Sequence, residues 1–450
     1  MTNWVNRDCH YSEYMNLPRT EGSIYASLAK LSFVIFLFFM FFGTSLPFRD
    51  RITEVDDIGT SNIVNQVVYT LLFLISFFSL LPKTRDVVAI IKKEKFLFLF
   101  LLWCFASLAW SDYSFVSFKR LFRDVVIITV CFAALVHSTS VDELLKYFKY
   151  ILFFYILITV LSIVIVPGAT DEYGQWRGLA THKNHLGQVS LVSAMIWFYA
   201  MRQEKFPGKV LGFIMLLLSV ILLLGSSSMT SLLTFALVTA IGIILFFDNF
   251  FKPLGVGRLF SFLIITSLVC IGSAIMTFGA DMINDFFYAL GKDITFTGRT
   301  DFWADIFIDN TKNHLLLGTG FGGFWVVDNP NLLDLYEVYN WLPNQGHNGY
   351  LDILNETGIV GLLLFALMVC CYFINLTKLK SSNLWKWFII ATLILNLQES
   401  TILRHGILTG VLFVFAYLAL YTQLYKDEQF SFYKNSRSQE RETSRLIEAH

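Results

Sequence analysis

Charged side chains are scarce: Asp, Glu, Lys and Arg make up 15% of the 450 residues, where a soluble domain carries about a quarter. That shortage excludes a water-soluble or disordered chain. The charge that is present balances, 34 basic against 34 acidic residues, so no nucleic-acid partner is implied. Cysteine is sparse as well. Five of the six (Cys104, Cys131, Cys270, Cys370 and Cys371) lie in apolar runs and read as small buried or lipid-facing residues. Neither a disulfide framework nor a metal site is suggested. The polar N-terminal thirty residues lack the short apolar core and small-residue cleavage site of a signal peptide, so the first span is expected to serve as the membrane signal. No internal repeat marks a transporter built from two related halves.

Apolar residues, in contrast, are 55% of the chain, enough for twelve membrane helices of about 20 residues each. Twelve stretches fit: 31–48, 63–81, 96–111, 119–138, 147–167, 185–201, 209–224, 229–247, 259–279, 351–375, 384–403 and 406–425. They are continuously apolar, so they predict helices rather than barrel strands. The fold class expected is all-α, a polytopic membrane protein with one large outer loop. The stretch 96–111 is short, and Asn396, Gln398 and Glu399 interrupt 384–403. With the N-terminus in the cytoplasm, 23 of the 34 basic residues fall on the inner side and 11 on the outer, which predicts that both termini are cytoplasmic.

The division that follows is a cytoplasmic segment 1–30, nine spans in 31–280, an outer loop 281–350, three spans in 351–425 and a cytoplasmic tail 426–450. A second outer loop covers 168–184. Connections of such length usually carry function or are disordered, and four tryptophans with many large apolar residues argue against disorder in these two. The tail mixes both signs of charge and reads as a solvated end.

Chemistry-bearing residues gather on the outer side. His182, His185, His314, His347 and His405 lie at or beyond the outer boundary, five of the eight histidines. His182 and His185 form an H-x-x-H pair, but no carboxylate or cysteine stands at ligand spacing, so no metal is expected. Arg120 and Arg123, at i and i+3, share a helical face. Arg177 lies with Lys183 in Gln-Trp-Arg-Gly-Leu-Ala-Thr-His-Lys-Asn-His-Leu-Gly, Arg299 in Gly-Arg-Thr-Asp-Phe-Trp, and Arg404 precedes His405. Singly, each can be explained by snorkelling or local pairing. As a set on one side they point to an anionic ligand, because guanidinium grips phosphate at two points. Residues 302, 303, 306 and 307 paint one apolar helical face, expected to lie flat on the outer interface and to be followed by a turn at 309–313. The glycines after His314 resemble a nucleotide loop, but the spacing is wrong and no strand precedes them. The most specific pattern is His347-Asn348, nine residues, then Gly358-Ile-Val-Gly361, whose glycines read as a small packing patch.

On three stretches the chain resembles the O-antigen ligase and polymerase family, integral membrane glycosyltransferases that include exopolysaccharide polymerases. These are Arg177-Gly with His182-Lys-Asn-His-Leu-Gly187, then Gly298-Arg299 with Trp303, His314 and Leu317-Gly-x-Gly320-Phe-Gly, and His347-Asn348-x9-Gly358-x-x-Gly361. Glu399 fits a family position less specifically. The ligases often continue past the last glycine with two Thr-like residues, where this chain has Leu362 and Leu363.

The resemblance implies an enzyme of the bacterial inner membrane that takes an oligosaccharide from an undecaprenyl diphosphate carrier. It would pass the glycan either to another carrier-linked repeat, as a polymerase, or to lipid A–core, as a ligase. No cofactor, neither metal nor nucleotide, is implied. His347 would be the catalytic base, Arg177 and Arg299 would bind the diphosphate, and Asn348 would hold the imidazole or a sugar hydroxyl. Lys183, His185, His314, Glu399, Arg404, Arg120 and Arg123 are further candidates. The Phe-rich helices would cradle the polyprenyl chain and contact membrane lipids. The Lys-Asn-His-Leu-Gly loop is more similar to the exopolysaccharide polymerases than to the ligases. A lipid or polysaccharide transporter is the competing class; it predicts charges at mid-membrane depth and half-helices broken by Gly or Pro.

Overall fold

The computed structural model describes residues 23–42, 63–171, 173–251, 299–379, 384–404 and 407–448. Among them are fourteen α-helices and no β-strand. They are α1 (Ile24–Phe42), α2 (Ile63–Leu80), α3 (Thr84–Lys93), α4 (Phe96–Ala106), α5 (Ser114–His137), α6 (Val141–Ile165) and α7 (Lys183–Gln203). Then come α8 (Gly208–Gly225), α9 (Met229–Phe251), α10 (Arg299–Asp305), α11 (Pro330–Tyr339), α12 (Gly349–Leu376), α13 (Trp385–Leu395) and α14 (Leu408–Glu448). Seven helical stretches are long and apolar enough to cross a membrane. The chain is a multi-pass, all-α membrane protein. Eleven of the twelve apolar stretches overlap described helices, 31–48 as far as Phe42 and 384–403 only over Trp385–Leu395; 259–279 lies outside the described residues.

A lipid-embedded backbone must satisfy its own hydrogen bonds, so uninterrupted apolar runs become helices whatever their local pattern. The run Phe-Leu-Phe-Leu-Phe of α4 is one case. Its buried start is capped from outside: Glu94 accepts the Leu97 N–H at 3.0 Å and the Tyr417 hydroxyl.

The centre of the bundle is α14, buried on every side from Leu408 to Thr422. A helix apolar all round belongs in a core. Phe415 stacks on Phe33 of α1, with ring centroids 5.7 Å apart, and Tyr417 on Tyr372 of α12 at the same distance. Helix α14 does not end with its apolar stretch but runs on through the charged tail to Glu448.

Two departures from simple spans build the site. Helix α13 stops at Leu395, leaving 396–404 irregular although 384–403 reads as one apolar stretch. Asn396 is the cause: its Oδ1 accepts the N–H groups of Thr401 (3.0 Å) and Ile402 (3.2 Å), folding the chain back on itself. Helix α12 breaks at Gly358, where φ is +68°. A side chain is excluded there twice, by the left-handed backbone and by Leu316, whose carbonyl oxygen would lie 2.2 Å from a Cβ. The strand of loop 315–320 fills the break. Ile359 N donates to Leu315 O, Thr319 N to Asn355 O and Gly320 N to Glu356 O, all at 2.8–3.0 Å. Trp103 Nε1 takes the Thr357 carbonyl at 2.8 Å. Gly358 is therefore a hinge for loop insertion rather than part of a packing patch. A Gly-broken helix is what a transporter would show, but here the chain itself satisfies the freed backbone.

The 299–350 region folds over this end of the bundle around a small core of Phe302, Ile306, Phe324, Trp325, Leu332 and Leu335. The stripe expected to lie flat on the interface is split: Phe302 and Ile306 are buried here, while Phe307 remains 41% exposed. The turn after it is a π-helical and then a 3₁₀ segment, Ile306–Asn310 and Thr311–His314.

Candidate active site

Four segments meet at Glu399, a carboxylate only 4% exposed in the irregular stretch after α13. His347, from the connection before α12, sets Nδ1 at 3.2 Å from Glu399 Oε2. Arg299, at the start of α10, pairs its Nη2 with Glu399 Oε1 at 3.2 Å and donates from Nη1 to the Gln398 carbonyl. Asn184, in the first turn of α7, donates to Oε1 at 3.1 Å, and Gln345 reaches Oε2 at 3.4 Å. A buried carboxylate costs several kcal/mol unless paired and hydrogen-bonded, and this one is compensated from the three segments that meet its own.

The imidazole is held in one orientation. With Nδ1 facing a carboxylate, the proton is assigned to Nδ1, which leaves Nε2 as the acceptor. Nε2 has no partner among the described residues, and the side chain is 21% exposed. The Trp341 ring flanks it at 5.9 Å between centroids. His347 itself has φ +51°, a conformation uncommon for a residue other than glycine and concentrated at functional sites.

Behind this group lies a second ionic cluster. Arg404 pairs with Asp352 at 2.8 Å and Glu356 at 3.2 Å, on successive turns of α12. Its pKa is raised: burial opposes the charge, and Glu356 and then Asp352 more than offset it. Glu356 also accepts the Gly322 N–H at 3.0 Å, while Arg120 donates to the carbonyls of Gly322 and Trp325, each at 2.7 Å. Arg120 thus ties the 315–325 loop to α5, Glu356 ties it to α12, and Arg404 ties α12 to the 396–404 segment.

The sequence-level set is thus divided. His347, Arg299 and Glu399 come together. Arg177 stands in the adjoining 168–182 loop, with Nη2 at 3.4 Å from the Thr170 carbonyl and a buried Nε that has no hydrogen-bond partner among the described residues. Arg120 meets the carbonyls of Gly322 and Trp325, Arg404 meets two carboxylates of α12, and Arg123 sits over the Tyr69 ring at 5.8 Å, so these three engage other groups of the chain than Glu399. Asn348 caps α12, its Oδ1 accepting from Tyr350 N (3.1 Å) and Leu351 N (3.2 Å). His314 is exposed, and its Nδ1 lies 3.3 Å from the Asn310 carbonyl. Lys183 opens α7 and His185 lies in its first turn, where His182 caps the helix through Nδ1.

Asn184, Gln345, Asp352 and Glu356 were missed at the sequence level. A signal existed for two of them, since Asp352 and Glu356 are carboxylates at i and i+4 within an apolar stretch, and such residues are functional candidates by default. Among the described residues no group of three or more His, Cys, Asp or Glu side chains is placed to hold a metal ion.

Residues 213–366 match the family model described as O-antigen ligase. The chain is also 31% identical over 171 residues to the exopolysaccharide production protein ExoQ of Rhizobium meliloti, a match covering 37% of this chain and 38% of that protein. The chain therefore aligns with well under half of that relative's length. The matched region carries Arg299, His347 and the Gly358 break. Over residues 213–366 the chain is thus similar to the O-antigen ligase family, and over a stretch of comparable length to an exopolysaccharide production protein.

Proposed function

We propose that the chain transfers an oligosaccharide from a polyprenyl diphosphate carrier to a hydroxyl of an acceptor glycan. The single observation that carries this reading is His347, oriented through Nδ1 by buried Glu399 and open at Nε2. In the proposed step the acceptor hydroxyl gives its proton to Nε2 as its oxygen bonds the anomeric carbon. The bond from that carbon to the diphosphate breaks, and the electron pair leaves with the diphosphate. Glu399 stabilises the imidazolium that forms, as a carboxylate behind a general base does. A diphosphate is a good leaving group without a metal, so fixed positive charge where negative charge grows is the main remaining need.

Arg177 and Arg299 are proposed to supply that charge. Arg299 does so from beside Glu399, and Arg177 from a loop where part of its guanidinium is unspent. Lysine would keep the charge but lose the planar fork. Loss of one such stabiliser costs roughly 3 kcal/mol in the transition state, or about a hundredfold in rate. Arg177→Lys and Arg299→Lys are expected to be nearly as damaging as the alanine variants. Turnover of a carrier-linked oligosaccharide checks this, and full activity in both lysine variants would reject the diphosphate assignment.

A polymerase, extending a carrier-linked repeat, is favoured over a ligase acting on lipid A–core. Leu362 and Leu363 replace the Thr-like pair frequent in ligases, and the similarity to an exopolysaccharide production protein points the same way. The site is proposed to face away from the cytoplasm, with both termini inside, as the basic-residue bias predicts. With the native cysteines replaced, Asp334→Cys should react with an impermeant thiol reagent from outside and Lys92→Cys should not. The reverse pattern would put the site on the wrong face for this reaction.

A further inference from the structure

We propose that Asp352 is a positioning residue for the His347–Glu399 pair, an inference that rests on the catalytic reading of that pair. Asp352 touches neither member. It is 3% exposed, and three donors and one cation converge on it. Gly346 N lies 3.1 Å from both carboxylate oxygens, Trp325 Nε1 donates at 3.1 Å, the Ser400 hydroxyl also donates, and the Arg404 guanidinium forms an ion pair with Nη2 at 2.8 Å. Gly346 immediately precedes His347, and Ser400 immediately follows Glu399. One carboxylate thus fixes the backbone beside the base and the side chain beside its orienting acid.

The bracket is rigid at its root. Asp352 lies in the first turn of α12, where its N–H bonds Asn348 O at 3.0 Å. The peptide it grips is held from the other side too, because Trp303 Nε1 donates to the Gly346 carbonyl at 2.7 Å. Gly346 has no room for a side chain, since a Cβ would approach Asp352 Oδ1 to 2.7 Å. His347, held at φ +51°, follows directly, so its unusual backbone is over-determined by this clamp. An amide cannot replace the carboxylate. The Gly346, Trp325 and Arg404 groups are all obligate donors, and an Asn NH₂ would face at least one of them.

A plain counter-ion of Arg404 would also be buried here, and two features of the test separate the roles. Ser400→Ala removes only the link towards Glu399 and leaves the Arg404–Asp352 pair intact. A double variant with Glu399→Gln shows whether a loss acts through the pair. The full-length protein, purified and shown to be folded by size exclusion, is assayed for kcat and KM with a polyprenyl-diphosphate-linked oligosaccharide. Asp352→Asn is expected to lower kcat about 10–100-fold, because a misplaced base costs on that order, with KM changed far less. Ser400→Ala should lower kcat by a smaller factor. Ser400→Ala combined with Glu399→Gln should be no slower than Glu399→Gln alone. Losses that multiply, or wild-type kcat in a folded Asp352→Asn or in Ser400→Ala, would overturn the positioning role. If Asp352→Asn does not fold, Ser400→Ala and the double variant decide. Wild-type turnover in both His347→Asn and Glu399→Gln would instead remove the catalytic reading beneath it.

Discussion

Replacing His347 is expected to abolish glycan extension while the protein remains folded. Loss of a general base costs about 10²–10⁴ in rate, and little else depends on this side chain. It is 21% exposed, and its removal leaves Glu399 still bonded to Arg299 and Asn184, so no buried charge is stranded. Alanine adds a backbone penalty at φ +51°. Asparagine tolerates the left-handed region better and cannot take a proton near neutral pH, which makes His347→Asn the cleaner variant. Both should yield single-repeat products in a deletion background, read as chain length on a gel. His137→Ala, altering a ring that meets the Ser79 carbonyl at 2.8 Å, should retain wild-type chain lengths. Long chains in His347→Asn would remove it as the base.

The second large effect is on stability, at Arg404. Its guanidinium is the shared partner of Asp352 and Glu356, whose side chains are 4% and 5% exposed. Removing one member of a buried ionic group destabilises by about 3–5 kcal/mol, because the remaining charge has no compensation. Arg404→Met is expected to fall in that range by detergent-titrated unfolding in mixed micelles. Adding Glu356→Gln should recover part of the loss, since one stranded charge is then removed. A stability within about 0.5 kcal/mol of wild type, the range of ordinary surface substitutions, would show that the cluster does not hold α12 to the 396–404 segment.

The helices were legible in the sequence because lipid leaves an apolar run no alternative. Their interruptions were only half legible. Asn396, Gln398 and Glu399 marked 384–403 as a poor span, but not that Asn396 would fold the chain back and present Glu399. Gly358 was visible as part of a motif. Its left-handed backbone depends on the 315–320 loop entering the helix, a long-range relation that no local spacing encodes.

The site divides in the same way. Residue type and motif singled out His347, Arg299 and Glu399, which lie in three separate segments and meet in space. Type alone could not say which groups of the chain each arginine would meet. Arg120 reaches backbone carbonyls about 200 residues away, and Arg404 disappears between two carboxylates of α12. Asp352 was missed for a related reason: its importance lies in the groups that converge on it from four places.

The most direct measurement uses purified full-length protein in lipid nanodiscs with a single polyprenyl-diphosphate-linked oligosaccharide, followed by mass spectrometry. The expected products are carrier-linked glycans of two and more repeats, with one free carrier diphosphate released per bond formed. Both should vanish in His347→Asn. Elongation that proceeds equally well in His347→Asn and Glu399→Gln, or donor consumed without any new glycosidic bond in the wild type, would contradict the assignment of this pair to glycosyl transfer.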